Sequence, residues 1–275
     1  MADDYRCLRI EKSDGIATIT IAHPPINLFD AALMGEMDRA GREVEADDAV
    51  RVVLVQSDDP DFFIAHADVE LILRLPVPSP DSPPPGQPSV FHTMVDRFRT
   101  MPKATIGVIE GYCRGGGSEL ALSLDMRFAA LGRAVLSQPE VAVGILPGGS
   151  GTQRLPRLCG RGRALEIVLG CEDFPADLAE RYGWVNRALA PEELRPFVQR
   201  LARRIASFPA DAIARAKAAL IAGEPEWDTG LAEESNQFDR CLASPEARAR
   251  MEAFMANGGQ TRETEARTPS PFFPR

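Results

Sequence analysis

Two glutamates set among glycines are the residues of this chain best suited to chemistry. The first closes the run Gly115-Gly116-Gly117-Ser118-Glu119, and the second stands in Gln138-Pro139-Glu140, ahead of Gly144 and Pro147-Gly148-Gly149. Glycines lack a Cβ and let backbone amides approach a ligand closely. The apolar run after Gly117 predicts a helix, whose first N–H groups have no intrahelical partner. Such a terminus stabilises negative charge developing on an oxygen. Two carboxyls beside it supply a proton donor and a base. The dipole of the predicted helix favours the Glu119 anion, while apolar Val141 and Val143 beside Glu140 raise a carboxyl pKa. The combination points to acid–base chemistry on a carbonyl compound. Read singly, each carboxylate has a plainer role: Glu119 as a cap on its own helix, Glu140 as a charge on a loop.

Commoner motifs do not account for these loops. Gly111-Tyr112-Cys113-Arg114-Gly115-Gly116-Gly117-Ser118 has nearly the outline of a phosphate-binding loop, but Gly117 stands where the lysine belongs. There is no dinucleotide fingerprint with an acidic residue at the right distance. Gly149-Ser150-Gly151 is not a nucleophile elbow, and the only histidines are His23, His66 and His92. The five cysteines (Cys7, Cys113, Cys159, Cys171, Cys241) are scattered without a Cys-x-x-Cys pair or a zinc spacing, so no metal site is expected. They read as buried free thiols in a reducing compartment, and Cys113 has no nearby His to make it a nucleophile. Arg154, Arg157, Arg161 and Arg163 cluster either as a solvated basic helix start or as a ligand patch.

The elements that must position the glutamates follow from periodicity. Residues 7–21 form a hairpin about Ser13-Asp14-Gly15, and residues 31–47 place Leu33, Met34, Met37, Ala40 and Val44 at helical spacing. Val52-Val53-Leu54-Val55 and residues 105–109 are short buried strands, the latter leading through residues 111–117 into the helix at 118–124; residues 128–130 and 135–136 are strands. Seven prolines between Leu75 and Ser89 forbid helix or central strand there and predict an extended loop, either a lid or a plain insertion. From Pro191 the patterns at 192–207, 210–222 and 234–257 are helical. The expected organisation is an α/β core over residues 1–190, a helical section over 191–257, and a fraying tail over 258–275.

The whole chain is compatible with this. Its 275 residues, 44% hydrophobic and 26% charged, suit one large α/β unit with an appendage. A net charge of −9 argues against a nucleic-acid surface. No apolar run approaches the roughly 20 residues of a membrane span, and the acidic N-terminus lacks a signal-peptide core, so a cytoplasmic location is expected.

Four ordered motifs resemble the crotonase superfamily, the enoyl-CoA hydratase/isomerase fold. Pro25-Ile26-Asn27 resembles its Pro-x-Asn after the first hairpin, and Ala65-His66-Ala67-Asp68 its Ala-Gly-Ala-Asp loop. Residues 109–121 and 137–155 resemble its two signatures. The resemblance covers about residues 8–254. It implies a crotonase-like spiral of ββα repeats and a helical C-terminal section used for trimerisation, often as dimers of trimers. It also implies a site for an acyl-CoA thioester, with coenzyme A as part of the substrate and no separate cofactor.

By the same resemblance the amides of Ala67 and Gly116 are the oxyanion hole. Glu119 positions and deprotonates water attacking C3, and Glu140 exchanges the proton at C2. Ala65, His66, Asp68, Val69, Gly117, Pro147 and Gly148 fall in the substrate-binding positions. The presence of both glutamates favours hydration of a 2-enoyl-CoA to a 3-hydroxyacyl-CoA. A Δ3,Δ2-isomerase, an acyl-CoA hydrolase or a non-catalytic acyl-CoA binding subunit are the alternatives on the same scaffold.

The chain departs from the pattern in three places. His66 replaces the glycine often found there and is expected to narrow the acyl pocket or touch the ligand. One residue more than in the short hydratases separates Glu119 from Glu140. Asn257 stands where many relatives have a CoA-contacting lysine.

Overall fold

The computed structural model describes residues 5–78, 88–224 and 227–267. The core is built from a repeated unit of two strands and a helix, and each unit contributes one strand to each of two sheets. The chain opens with the antiparallel hairpin β1 (Leu8–Ser13) and β2 (Ile16–Ile21), followed by α1 (Ala31–Ala46). The first full unit is β3 (Val52–Ser57), β4 (Phe62–Ile64), α2 (Val69–Leu73) and α3 (Val90–Thr100). The second is β5 (Ala104–Ile109), β6 (Tyr112–Arg114) and α4 (Gly116–Ser123). The third is β7 (Met126–Ala130), β8 (Val135–Ser137), a 3₁₀ turn (Glu140–Val143), α5 (Gly151–Cys159) and α6 (Arg161–Gly170). Then come β9 (Phe174–Pro175), α7 (Ala176–Tyr182) and β10 (Arg187–Leu189).

The larger sheet has the order β1-β2-β3-β5-β7-β10, parallel from β2 onward, and the smaller has the order β4-β6-β8-β9. All six residues of β5 are buried, as a strand covered on both faces requires. The step from β5 to β6 is tight because Gly111 lies against the chain of Asp61: a Cβ there would stand 2.1 Å from the Asp61 carbonyl oxygen. Tyr112 N–H donates to that same oxygen (2.7 Å), which aligns β6 beside β4.

The helical section is α8 (Pro191–Ala206), α9 (Ala210–Ile221), α10 (Trp227–Leu242), α11 (Pro245–Ala256) and α12 (Arg262–Glu265). It packs on the core: α8 covers the larger sheet, α10 lies on α5, and α11 lies on the 3₁₀ turn and α2. The helical pattern expected over 234–257 is two helices, because Pro245 cannot continue the first and instead begins the second.

The expected fraying tail is corrected for its described part. Residues 258–267 are folded back on the core, with Glu265 fully buried and Arg262 paired with Asp59 (2.5 Å) and Asp61 (2.5 Å). A polar, charged stretch reads as a tail when its partners lie some 200 residues away in sequence, as these do. The greater part of the proline-rich loop, residues 79–87, lies outside the described residues. No described helix is long and apolar enough to cross a membrane.

Candidate active site

Both glutamates line one cavity of about 970 Å³. Glu119 leaves the first turn of α4. Its side chain does not cap its own helix but crosses to the following loop, where Oε1 accepts from Gly149 N–H (2.7 Å) and Gly151 N–H (2.8 Å). Glu140 begins the 3₁₀ turn, and Gln138 Nε2 donates to its Oε1 (3.3 Å) and Oε2 (3.4 Å). A Cβ on Gly151 would stand 2.9 Å from Glu119 Oε1 and 3.0 Å from Gln138 Nε2, so only glycine fits between the first carboxyl and the amide that serves the second.

Burial pushes the Glu140 carboxyl up to about 8, against a partial pull downward from its hydrogen bonds and from His66. Burial also raises Glu119 well above the usual carboxyl range, helped by the negative charges of Glu140 and Glu234; the two loop amides draw it back. The cavity therefore retains a carboxyl proton at neutral pH.

Gly116 is the first residue of α4, after Gly115 turns the chain with φ of 49°. A Cβ on Gly116 would stand 3.2 Å from Ala67 Cβ and 3.5 Å from Ala67 N, which places the two residues side by side at the cavity wall. The peptides flanking Ala67 are held by a short bridge: Phe29 N–H donates to His66 O (2.9 Å), and Asp68 N–H donates to Phe29 O (3.2 Å). Neither the Ala67 nor the Gly116 N–H donates to an acceptor among the described residues. Amides left open in this way at a cavity wall are suited to an anionic oxygen.

Of the other residues expected at the site, only Gly148 lines the cavity, with Phe238 against it. Six form its support. Ala65 packs with Ile26 and Phe62, and Val69 with Val143, Ile145 and Met251. Asp68 caps α2, Gly117 presses on Ile64, and Pro147 packs against Gly151. The His66 ring turns away from the cavity, toward Glu265 and Phe254, so the expected narrowing of the pocket by its side chain is corrected.

Cys113 is fully buried with its thiol pKa pushed up by desolvation, which removes it as a nucleophile. The arginine cluster is not one patch. Arg154 is buried on Asp96 (3.2 Å) and Ser150 (2.6 Å), and it shares the Trp227 ring with Arg157, while Arg163 stacks on Tyr182.

Sequence reasoning missed Glu234. This α10 carboxylate is buried, accepts from Ser150 N–H (2.6 Å) and Thr152 N–H (2.9 Å), bonds the Thr152 hydroxyl, and pairs with His92 Nε2 (2.8 Å). Consecutive amides 149 to 152 thus alternate between Glu119 and Glu234. Phe91 closes the arrangement, its ring lying against both Gly116 and Gly149. The one available sign was a polar pair inside otherwise amphipathic helices, which does not name its partner.

A spiral of ββα turns enclosing a carboxyl pair beside two open amides defines an acid–base site for a carbonyl compound. The family model for enoyl-CoA hydratase/isomerase matches residues 11–260, and the chain belongs to that family. A crotonyl-CoA hydratase of Syntrophomonas wolfei is 34% identical over 91% of this chain and 95% of its own. A short-chain-enoyl-CoA hydratase of Clostridium acetobutylicum is 33% identical over 90% of this chain and 93% of its own. A solved structure of a candidate enoyl-CoA hydratase from Streptomyces avermitilis superposes with a TM-score of 0.86 at 36% identity, covering 95% of both chains.

Proposed function

We propose that this protein hydrates a 2-enoyl-CoA thioester to the 3-hydroxyacyl-CoA. The observation that carries the reading is the convergence of Glu119, Glu140 and the open amides of Ala67 and Gly116 on one cavity. The thioester oxygen sits on the two amides, which draw electron density from C3 and hold the enolate-like oxygen. In comparable sites one such donor contributes about 10²–10³ in rate. Glu119, whose ionised form the two loop amides favour against its burial and the neighbouring carboxyls, acts as the base when the pair holds a single proton, taking a proton from water as its oxygen bonds C3. Glu140, which burial keeps protonated at neutral pH, delivers its proton to C2. One O–H bond is broken, one C–O and one C–H bond are formed, and a proton passing from Glu119 back to Glu140 resets the pair. Coenzyme A enters as part of the substrate, and no separate cofactor takes part.

The test is a spectrophotometric assay on crotonyl-CoA and longer 2-enoyl-CoAs, in which hydration removes the absorbance of the conjugated thioester. An unchanged absorbance across the series would sink the reading. Conversion of 3-enoyl-CoA or release of free CoA in its place would point to the isomerase or hydrolase.

We further propose a homotrimer or dimer of trimers, supported by large exposed side chains on α5 and α6: Leu158 (40%), Leu165 (45%) and Leu169 (63%). Free cysteines, four of the five buried, support a reducing, cytoplasmic setting.

A further inference from the structure

The family match ends at residue 260, and the chain from Gln260 to Arg267 grips the loop that carries Ala67. Gln260 Oε1 accepts from Val69 N–H (2.5 Å), and its Nε2 donates to Asp68 Oδ1 (3.0 Å). Arg262 reaches the Pro25 carbonyl (2.6 Å) on the loop's other flank. Arg114 donates to the carbonyls of Glu265 (2.7 Å) and Arg267 (3.2 Å), and Tyr112 to that of Ala266 (3.0 Å). Inside this strap, Glu265 Oε1 lies 3.1 Å from His66 Nε2, and both side chains are buried. His66 is the residue at which the loop departs from the family pattern.

We propose that His66 and Glu265 form a buried imidazolium–carboxylate pair that fixes the Ala67 peptide and places a positive charge beside Glu140, making both positioning residues of the reaction. This rests on the hydratase reading given above. The protonation follows from the contacts. His66 Nδ1 lies 2.7 Å from the Ala67 carbonyl, which can only accept, so Nδ1 carries a proton. Nε2 faces a carboxylate oxygen that already accepts from Gln260 N–H (2.9 Å), so Nε2 carries the second.

The charged and aromatic groups around His66 are Glu265 from α12, Arg114 from β6 and the Phe254 ring from α11, with Glu140 on the other side of Gly115. Arg114 is itself paired with Asp173 (2.9 Å at both oxygens), so the buried cluster of His66, Arg114, Glu265 and Asp173 balances two positive charges with two negative. Burial works against the His66 charge, and the adjacent Glu265 together with the Ala67 carbonyl more than offsets it; Glu265 is correspondingly held low, against the cost of its own burial.

Two consequences reach the site. With Phe29 N–H on the His66 carbonyl, Phe29 O on Asp68 N–H, and the His66 ring on the Ala67 carbonyl, every polar group of the two peptides flanking Ala67 is engaged except the Ala67 N–H. That amide is the donor assigned to the substrate oxygen. Gly115 also lies between His66 and Glu140: a Cβ there would stand 3.3 Å from His66 Cβ and 3.1 Å from Glu140 Oε1, and the His66 charge reaches that carboxyl. A cation so placed favours the Glu140 anion, and so limits how far burial raises that carboxyl.

The test uses the full chain and two measurements. In ¹⁵N NMR of the wild type, both His66 ring nitrogens are expected to be protonated at pH 7.5. Glu265→Gln, which keeps the shape and removes the charge, is expected to lower kcat for crotonyl-CoA about ten- to a hundredfold. KM should change less than about threefold, and the alkaline limb of the pH–rate profile should move to higher pH, since Glu140 loses its neighbouring cation. His66→Gln should shift the limb in the same direction. A neutral His66 in an active wild type overturns the inference, as does a folded Glu265→Gln variant with unchanged kcat and alkaline limb. Should Glu265→Gln not fold, the wild-type spectrum and His66→Gln decide. A wild type without turnover removes the hydratase reading and the catalytic part of this proposal together, whereas the spectrum still reports the pair.

Discussion

At the scale of single residues, the proton held by Glu140 carries a cost to the fold, beside the catalytic role proposed for it. A buried carboxyl raised to about 8 binds its proton more tightly in the folded chain than in the unfolded one. Below the ordinary carboxyl pKa both states are protonated and there is no penalty. As pH rises from about 4.5 to about 8 the unfolded chain releases the proton while the folded one keeps it, and stability falls. Glu140→Gln escapes this, so its Tm at pH 9 should exceed that of the wild type by several degrees, with little difference at pH 4. The same variant should lose about 10²–10⁴ in hydration rate. Thermal scans at the two pH values and the absorbance assay check both halves. In the wild type, the same proton predicts an alkaline fall in kcat/KM centred near pH 8, measurable across pH 6–10. Glu119 and Glu140 were legible because glycines and apolar neighbours announce them in sequence. The upward direction for Glu140 was legible too, but the anion expected of Glu119 at a helix start is corrected: burial and the charges of Glu140 and Glu234, which sequence does not bring together, raise it.

At the scale of elements, the loop from Gly148 to α5 is clamped from two sides. Glu119 comes from the adjoining α4 and Glu234 from distant α10, and each holds alternate amides. Glu234→Ala leaves Ser150, Thr152 and His92 without their acceptor in a buried site, at a cost of about 2–4 kcal/mol. In a chain of this length that lowers Tm by roughly 5–15 °C. Release of the loop also misplaces Glu119, so kcat should fall at least about tenfold with α-helical content retained. Calorimetry, circular dichroism and steady-state kinetics on the purified variant test this, and an unchanged kcat would remove Glu234 from the support of the site. Periodicity alone placed α1, α4, α8 and α9 closely. It joined α10 to α11 across Ser244-Pro245, and could not reveal that a polar position in α10 serves a loop some 80 residues earlier.

At the scale of the molecule, the alternation of strand and helix predicted an α/β core, but periodicity does not say that successive strands enter two different sheets. That came from the resemblance of four motifs, and the sheet orders agree with it. The proposed assembly is tested on α6, where Leu165 and Leu169 share one exposed face at a spacing of four residues. Leu169→Arg should convert the trimer mass seen by analytical ultracentrifugation to that of a monomer. A wild type that sediments as a monomer at micromolar concentration would contradict the assembly.

The two buried histidine–glutamate pairs have a kinetic meaning as well. His92–Glu234 and His66–Glu265 join residues 142 and 199 positions apart, so each closes a loop of half the 275-residue chain or more. Contacts of such separation are entropically costly to form early, and they are expected to be absent from the folding transition state. Weakening either pair should therefore leave the refolding rate nearly unchanged and accelerate unfolding, which stopped-flow measurements resolve. The late-forming contacts that orient the site would then also set how long the assembled enzyme lasts.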